Sequence, residues 1–502
     1  MRQRDPDIQD SAKAELLTPL THHPPDIAVS RRLGGGGHLW GGRCVPFDPI
    51  DYAPRPWLNL PGWPFDSTEM DDYLADACVE LACGAPVFLH GHDVPLSKGS
   101  PFTLDRLERW SNQPLTAKLH RAEIAADPDL ALVLGVMLTG VIRREDGGVM
   151  ALRVLSEDQQ YEIDADHVVL AMGGVATTQF LLNLQDVEPR LFGGSEGPLG
   201  RHYMGHVNGQ IADIEMGPEA FHALAPFIQD GTSYLRHRIV PTDDTQAEHR
   251  LANIAFWPVV PPIHDPAHRS GILSAIFLTL SFGWLGRQVI AEPIRQKHVG
   301  QPPYRRVAHL GNVLRDLWSV LSFAPRFLWQ RFGAKLRIPG FFLINPAHRY
   351  GLEFHAEHLP DPDSRITLSD ECDASGARRA RIDFRFSEMD AANILRAHDA
   401  LDEWLRAEGL GQLIYRVPKA GRAKEIIAVA KHGNHQIGTI PLGCDRETAV
   451  VDPWGSVFDI PGLHVASTAI LPTSSQATPT LMGVQMALRL ADRLTNGGTQ
   501  HG

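Results

Sequence analysis

The chain has 502 residues, 43% hydrophobic and 21% charged, which excludes a fully disordered chain and a polytopic membrane protein and predicts two or three lobes. The formal net charge of −12 argues against a generic nucleic-acid binder. Five cysteines, Cys44, Cys78, Cys83, Cys372 and Cys444, form no CxxC pair. They predict neither a disulfide scaffold nor structural zinc, and a reducing, cytoplasmic setting is the expectation.

Residues 1–30 carry little periodicity and read as an irregular segment. No apolar stretch follows the basic residues at the N-terminus, so no signal peptide is expected. A glycine-dense stretch, Gly34 to Gly42, comes next. Asp66 and Glu69 have capping-box spacing ahead of Met70, Tyr73, Leu74, Ala77, Cys78 and Leu81, and predict a helix stopped by Gly84. Cys78 and Cys83 are expected in its core face.

Leu130 to Val154 reads as strands around a turn at Glu145–Gly148. Val168 to Ala171 is a short apolar run meeting Gly173-Gly174 and a helix through Leu182, the pattern of a buried parallel strand feeding a helix. The most apolar run, Gly271 to Gly286, falls short of the roughly 20 residues of a membrane span and predicts a buried helix or a surface-docking segment. Val313 to Gly333 mixes Trp318, Phe323, Phe327 and Trp329 with Arg315, Arg326 and Arg331. Helices here either pack as an arm on the second lobe, the preferred reading, or touch a membrane surface or cover the entrance for a hydrophobic substrate. Ala380, Ile382, Phe384 and Phe386 alternate as a strand with one wet face, and Ser387 opens a helix. A short strand, Leu463 to Thr468, precedes a closing helix with Pro479 in its first turn.

Three distant segments carry the chemistry: Arg31 to Pro46, Asp166 to Thr178, and His435-Gln436-Ile437-Gly438-Thr439 together with Leu471 to Leu481. Together they resemble the glucose–methanol–choline (GMC) family of FAD-dependent oxidoreductases, in the branch of sugar and polyol dehydrogenases and pyranose oxidases. The resemblance runs from about residue 31 to the end and is weakest between 210 and 350. It implies an α/β fold. A discontinuous Rossmann-like FAD-binding domain would comprise residues 31–205 and 431–502, with an α+β substrate lobe over 206–430.

Consecutive glycines let backbone approach a flat cofactor with N–H groups free to donate. The resemblance accordingly implies cofactor contacts at Gly34, Gly35, Gly36, Gly37, Leu39, Trp40, Gly41, Gly42, Ala171, Gly173, Ser467, Thr468, Pro479 and Thr480. The closing helix would aim its N-terminus at the flavin. His435 occupies the histidine of the family's HxxGT motif and is the expected base for the hydroxyl proton of an alcohol or sugar, hydride passing to FAD. Oxygen or another electron acceptor would then reoxidise the flavin.

Three positions depart from the family. Thr478 stands where a second histidine or an asparagine is usual, so it would orient the substrate oxygen without acting as a base. Leu39 stands where some members carry a flavin-linking histidine, so non-covalent FAD is expected. Nothing in Met1 to Ser30 supplies the opening strand–GxGxxG–helix unit, which takes about 30 residues. An N-terminally shortened chain is the preferred reading of that, and an inactive remnant acting as a binding protein is the alternative. No metal site is expected, although His202 and His206 have i, i+4 spacing. Glu357 reads equally as structural or pocket-lining.

Overall fold

The computed structural model describes residues 9–496, apart from residues 93, 95, 225–226, 291, 341 and 344–347. The first eight residues, on which part of the N-terminal reading rests, lie outside that range. The stretch up to Ser30 is less irregular than its sequence suggested. It contributes β1 (Glu15–Leu16), paired in parallel with Arg381 and Ile382, and one helical turn at Pro25–Ala28. Leu16 and Ala14 pack on Ile366, Ala380, Ile382 and Phe384. That apolar partner lies more than 350 residues downstream, so local periodicity could not announce the strand.

The Asp66–Glu69 capping box does not close. Two short helices, Thr68–Asp71 and Leu74–Glu80, replace the single one, and the Glu69 carboxylate accepts from Arg489 at 2.7 Å. The inward face is as the spacing predicts: Met70, Ala77, Cys78 and Leu81 are buried, and Cys44, Cys78 and Cys83 pack as free thiols in one cluster.

An antiparallel meander follows, of β2 (Met137–Arg143), β3 (Val149–Ser156) and β4 (Gln159–Asp164), with its first turn at Glu145–Gly148. The apolar run becomes β5 (Val168–Leu170) and leads through Gly173 into α1 (Gly174–Val187). Gly173 has φ +84°, a left-handed conformation that glycine adopts without a Cβ penalty.

Residues 206–430 contain a second layer. β6 (His206–Met216) starts it, then β7 (Ile254–Val259). A helical arm follows: α2 (Gly271–Ser281), α3 (Gly283–Val289), α4 (Arg306–Arg315) and α5 (Leu317–Leu328). The chain returns as β8 (Arg349–Glu357), β9 (Arg365–Cys372), β10 (Arg378–Asp383), α6 (Glu388–Ala407) and β11 (Gly411–Tyr415). The antiparallel order is β7–β8–β6–β11, and α6 covers one face through Ile394, Leu401 and Trp404. The predicted cap of α6 forms as a reciprocal box between Ser387 and Asp390.

β9 and β10 leave this sheet. They form a three-stranded sheet with β1 and bury Ile366, Ala380 and Ile382 against Val175 and Leu182 of α1. Part of the segment read as substrate lobe therefore belongs to the α1 layer.

The last block brings β12 (Leu463–Val465) alongside β5 in parallel, Val168 opposite Leu463, and ends in α7 (Thr480–Asn496). Val168 and Leu170 are buried, while Val169 is exposed, so one side of β5 is bare. A single core of side chains from β5, β12, α1 and α7 binds the discontinuous segments together.

Candidate active site

The loop carrying His435 is held from both sides. Gly438 has φ +88°, and a Cβ there would strike the His202 carbonyl oxygen, so only glycine fits. Thr439 Oγ1 lies 2.7 Å from Thr178 Oγ1 of α1, and Met204 and Ile437 exchange backbone hydrogen bonds. These contacts account for the H-x-x-G-T spacing: two anchors flank a half-buried histidine that is aimed across the fold.

What His435 meets is another pair of histidines. Its Nδ1 lies 2.8 Å from Nδ1 of His206, the first residue of β6. His355 on the neighbouring strand β8 sits with its ring centroid 4.2 Å from that of His206 and 6.1 Å from that of His435. His432 adds a fourth ring 4.7 Å from His435.

The hydrogen bonds fix the tautomers. His206 Nε2–H donates to the Ser474 carbonyl at 3.0 Å, so its Nδ1 is an acceptor and must receive the proton of His435 Nδ1. His435 Nε2 is then left with an open lone pair. His355 likewise donates from Nδ1 to the Gln476 carbonyl at 2.6 Å and keeps its Nε2 lone pair. The chain Ser474 C=O, His206, His435 thus orients one neutral imidazole as a proton acceptor.

Burial keeps these rings neutral. Desolvation holds His206, His355 and His432 well below the usual imidazole range, with their mutual repulsion adding to it. His435 is pushed down to about 3, first by burial and then by the charge of Arg43. Arg43 lies over the Trp257 ring at 4.4 Å and is paired with Glu108.

Neutral in the fold, these histidines gain protons on unfolding once pH drops below about 6.5, so the unfolded chain binds more protons and stability falls with pH. Urea midpoints are expected to be level above about pH 7. They should then decline towards pH 5, by on the order of 1–2 kcal/mol per histidine. A midpoint unmoved between pH 7.5 and 5 overturns that assignment.

One ring nitrogen from each of His206, His355 and His435 lies within 4.8 Å of the others, a donor set that also suits a divalent transition metal. No metal site is expected from the sequence, and its i, i+4 pair does not form one helix face: His206 begins a strand, and His202 sits in a loop at φ +58°. The Arg43 charge beside the cluster favours proton transfer over cation binding.

Thr478 does not face His435 through its donor. Its hydroxyl donates to the Arg43 carbonyl at 3.0 Å, which ties the start of α7 to the strand after the glycine loop. The neighbours of His435 are His206 and His355, and nothing in the sequence marks His355 beyond its place on an apolar strand. Glu357 is structural: both its oxygens meet the Arg55 guanidinium, at 2.5 and 2.7 Å, with both side chains fully buried.

Residues 360–487 match the family model described as GMC oxidoreductase. That segment is a GMC oxidoreductase C-terminal domain. Within its curated relatives, the chain is 31% identical over 136 residues to paromamine 6'-oxidase of Streptomyces fradiae, 27% of this chain and 23% of that protein. It is 29% identical over 150 residues to C-glycoside 3-oxidase of Microbacterium trichothecenolyticum, 28% of this chain and 27% of that protein. The matched stretches thus span about a quarter of each relative. The crystal structure of pyridoxine 4-oxidase from Mesorbium loti aligns over 94% of this chain and 85% of its own, with 14% identity and a TM-score of 0.48.

GMC oxidoreductases are FAD flavoproteins. Gln436 bridges two of the motif segments: its Oε1 accepts from Val175 N at the start of α1, and its carbonyl accepts from Thr468 Oγ1. A Cβ on Gly483 of α7 would crowd the Thr468 side chain, and Thr478 reaches Arg43, two residues past Gly41. Around this ring Ala171, Gly173, Gly41 and Asn434 are exposed beside the half-buried His435, and nothing lies within 4 Å of where a Cβ on Gly41 would sit. Trp40 packs with Leu481 at the start of α7. These residues fit the redox end of the cofactor.

The outer glycines fit its pyrophosphate less well. Gly34 and Gly37 sit against Thr116, whereas Gly35 and Gly36 are open, and Gly34 lines a depression of about 390 Å³ whose lining also includes Glu80, Glu123 and Asp127. Three carboxylates repel a diphosphate.

Proposed function

We propose that the chain is an FAD-dependent oxidoreductase that oxidises a CH–OH group of an alcohol, sugar or polyol to a carbonyl. The observation that carries the reading is the hydrogen-bond chain from the Ser474 carbonyl through His206 to His435, which leaves His435 Nε2 as an oriented lone pair. His435 takes the hydroxyl proton at Nε2. His206 holds the ring in the required tautomer, and its lone pair stabilises the imidazolium N–H that His435 retains at Nδ1. His355 Nε2 offers a second acceptor for the substrate hydroxyl, and the arginine beside the rings keeps them unprotonated before substrate arrives. FAD, when bound, supplies the acceptor for the hydride leaving carbon.

Trp40, Gly41, Gly42, Ala171, Gly173, Ser467, Thr468, Pro479 and Thr480 would hold the redox end of FAD, with the N-terminus of α7 favouring negative charge there. Attachment is non-covalent: Leu39 has no nucleophile, and His38 Nε2–H donates a hydrogen bond to the Leu33 carbonyl at 2.9 Å. The names of the two curated relatives, oxidases of paromamine and of C-glycosides, support a hydroxyl-bearing substrate and molecular oxygen as an acceptor.

The visible spectrum of the purified chain, desalted with and without added FAD, tests the reading. Retained flavin absorbance that bleaches on adding a sugar or alcohol is the expected result. A folded, colourless protein that ignores FAD overturns it.

A further inference from the structure

The outer part of the helical arm, α4 and α5, is built inside out. In α4 the polar residues face the protein: His309 Nδ1 lies 3.0 Å from Ser274 Oγ, and Asn312 Nδ2 donates to the Pro266 carbonyl at 2.9 Å. The apolar residues of the same helix face solvent, with Val307 85% and Leu314 66% exposed. α5 buries none of its residues, and Trp318 and Trp329 at its two ends are 84% and 65% exposed. An ordinary surface helix has the opposite polarity, its apolar stripe inward. The arm nonetheless has its own anchor, since Leu273, Phe277 and Leu280 of α2 pack with Ile263 and Val299. No single helix among the described residues is long and apolar enough to cross a membrane. The segment read as an arm, Val313 to Gly333, does lie against α2 of the second lobe, while α4 and α5 turn their apolar sides outward.

Charge identifies the occupant. Residues 301–340 carry seven Arg and Lys against one acid, Asp316, in a chain whose balance is −12. Asp316 is itself engaged, accepting the Gly271 N–H at 2.9 Å. Arg315 and Arg326 are exposed beside the apolar stripe and have no acidic partner among the described residues. An outward apolar and tryptophan stripe rimmed by arginine matches the headgroup–acyl boundary of a bilayer with negative lipid.

We propose that α4 and α5 dock the protein peripherally on an anionic lipid surface, their apolar stripe entering the interface and Arg315 and Arg326 meeting the headgroups. The proposal is independent of the flavin reading, because its test reads vesicle binding and not turnover.

The experiment is co-sedimentation of the full chain with vesicles of phosphatidylcholine alone, or with about 30% phosphatidylglycerol. The expected result is binding to the anionic vesicles that weakens at least about tenfold on neutral ones or in about 0.5 M salt. Leu314→Asp with Trp318→Glu is expected to abolish binding. Arg315→Glu with Arg326→Glu should remove the preference for anionic lipid, a loss of at least about tenfold, and carries the test should the first pair misfold by circular dichroism. Three results overturn the proposal: no binding to anionic vesicles, equal binding by both folded variants and the parent, or a soluble dimer dispersed by the apolar pair with no vesicle binding at all.

Discussion

Replacing His435 with asparagine is expected to lower kcat by about 10² to 10⁴-fold, the usual worth of a positioned general base. Asparagine is the informative substitution. Its amide N–H donates to His206 Nδ1 much as the imidazole does, so the 2.8 Å contact survives while the basic lone pair is gone. His435→Ala removes both, leaving His206 Nδ1 buried without its donor, and adds a stability cost of about 1–3 kcal/mol to the same kinetic loss. The two variants separate chemistry from folding. If His435→Asn keeps its flavin absorbance and melts like the parent while turnover collapses, the base is identified. Turnover unchanged in a folded His435→Asn protein sinks the assignment. His206→Asn gives a complementary readout. A positioning role predicts a fall in kcat with a changed pH profile, whereas a merely structural role lowers stability and leaves the profile of the surviving protein unchanged.

The second large effect is on the fold. Glu357→Ala is expected to cost about 3–5 kcal/mol, because it leaves the Arg55 guanidinium buried without its carboxylate. Arg55→Ala is expected to cost more. Glu357 stands near Asp51, whose carboxyl is already pushed up by burial and by Glu357, with Arg55 opposing. Asp51 accepts from Ser475 Oγ at 2.6 Å, and Asn253 N donates to Glu357 at 3.0 Å, so removing the arginine leaves two buried acids with only neutral donors. Urea unfolding of both variants checks the order. A joint Arg55→Met, Glu357→Leu replacement should recover most of the loss, since buried ion pairs commonly tolerate apolar replacement of both partners. Equal, small losses from the two single variants would show that the pair is not the tie described.

The ion pair also explains why Glu357 could not be assigned from sequence. Its segment borders the substrate layer, and only the position of Arg55, some 300 residues earlier, decides that both carboxylate oxygens are occupied. Thr478 shows the same limit. Standing where a partner for the base is usual, it donates instead to the Arg43 carbonyl, and strands β6 and β8 fill the place with His206 and His355. The register that sets Glu357 opposite His206 and His355 opposite Asn208 brings those two rings together. With 24 histidines in the chain, nothing local distinguishes these from the rest.

By itself the sequence determined most of what rests on neighbours in the chain; the Asp66–Glu69 spacing is the exception, since Glu69 is drawn to the distant Arg489. The strand–glycine–helix passage at Val168 to Gly174, the helix start at Ser387, the hairpin turn at Glu145–Gly148 and the H-x-x-G-T loop all appear where their spacing put them. Backbone sterics and side-chain reach over three or four residues are enough to encode them. The tertiary structure decided everything that depends on a partner. It chose which rings meet His435, which carboxylate neutralises Arg55, which strand gives order to Glu15 and Leu16, and which way α4 turns its apolar side. Periodicity marks a face as apolar or polar; only the packing of distant segments decides what that face is turned towards.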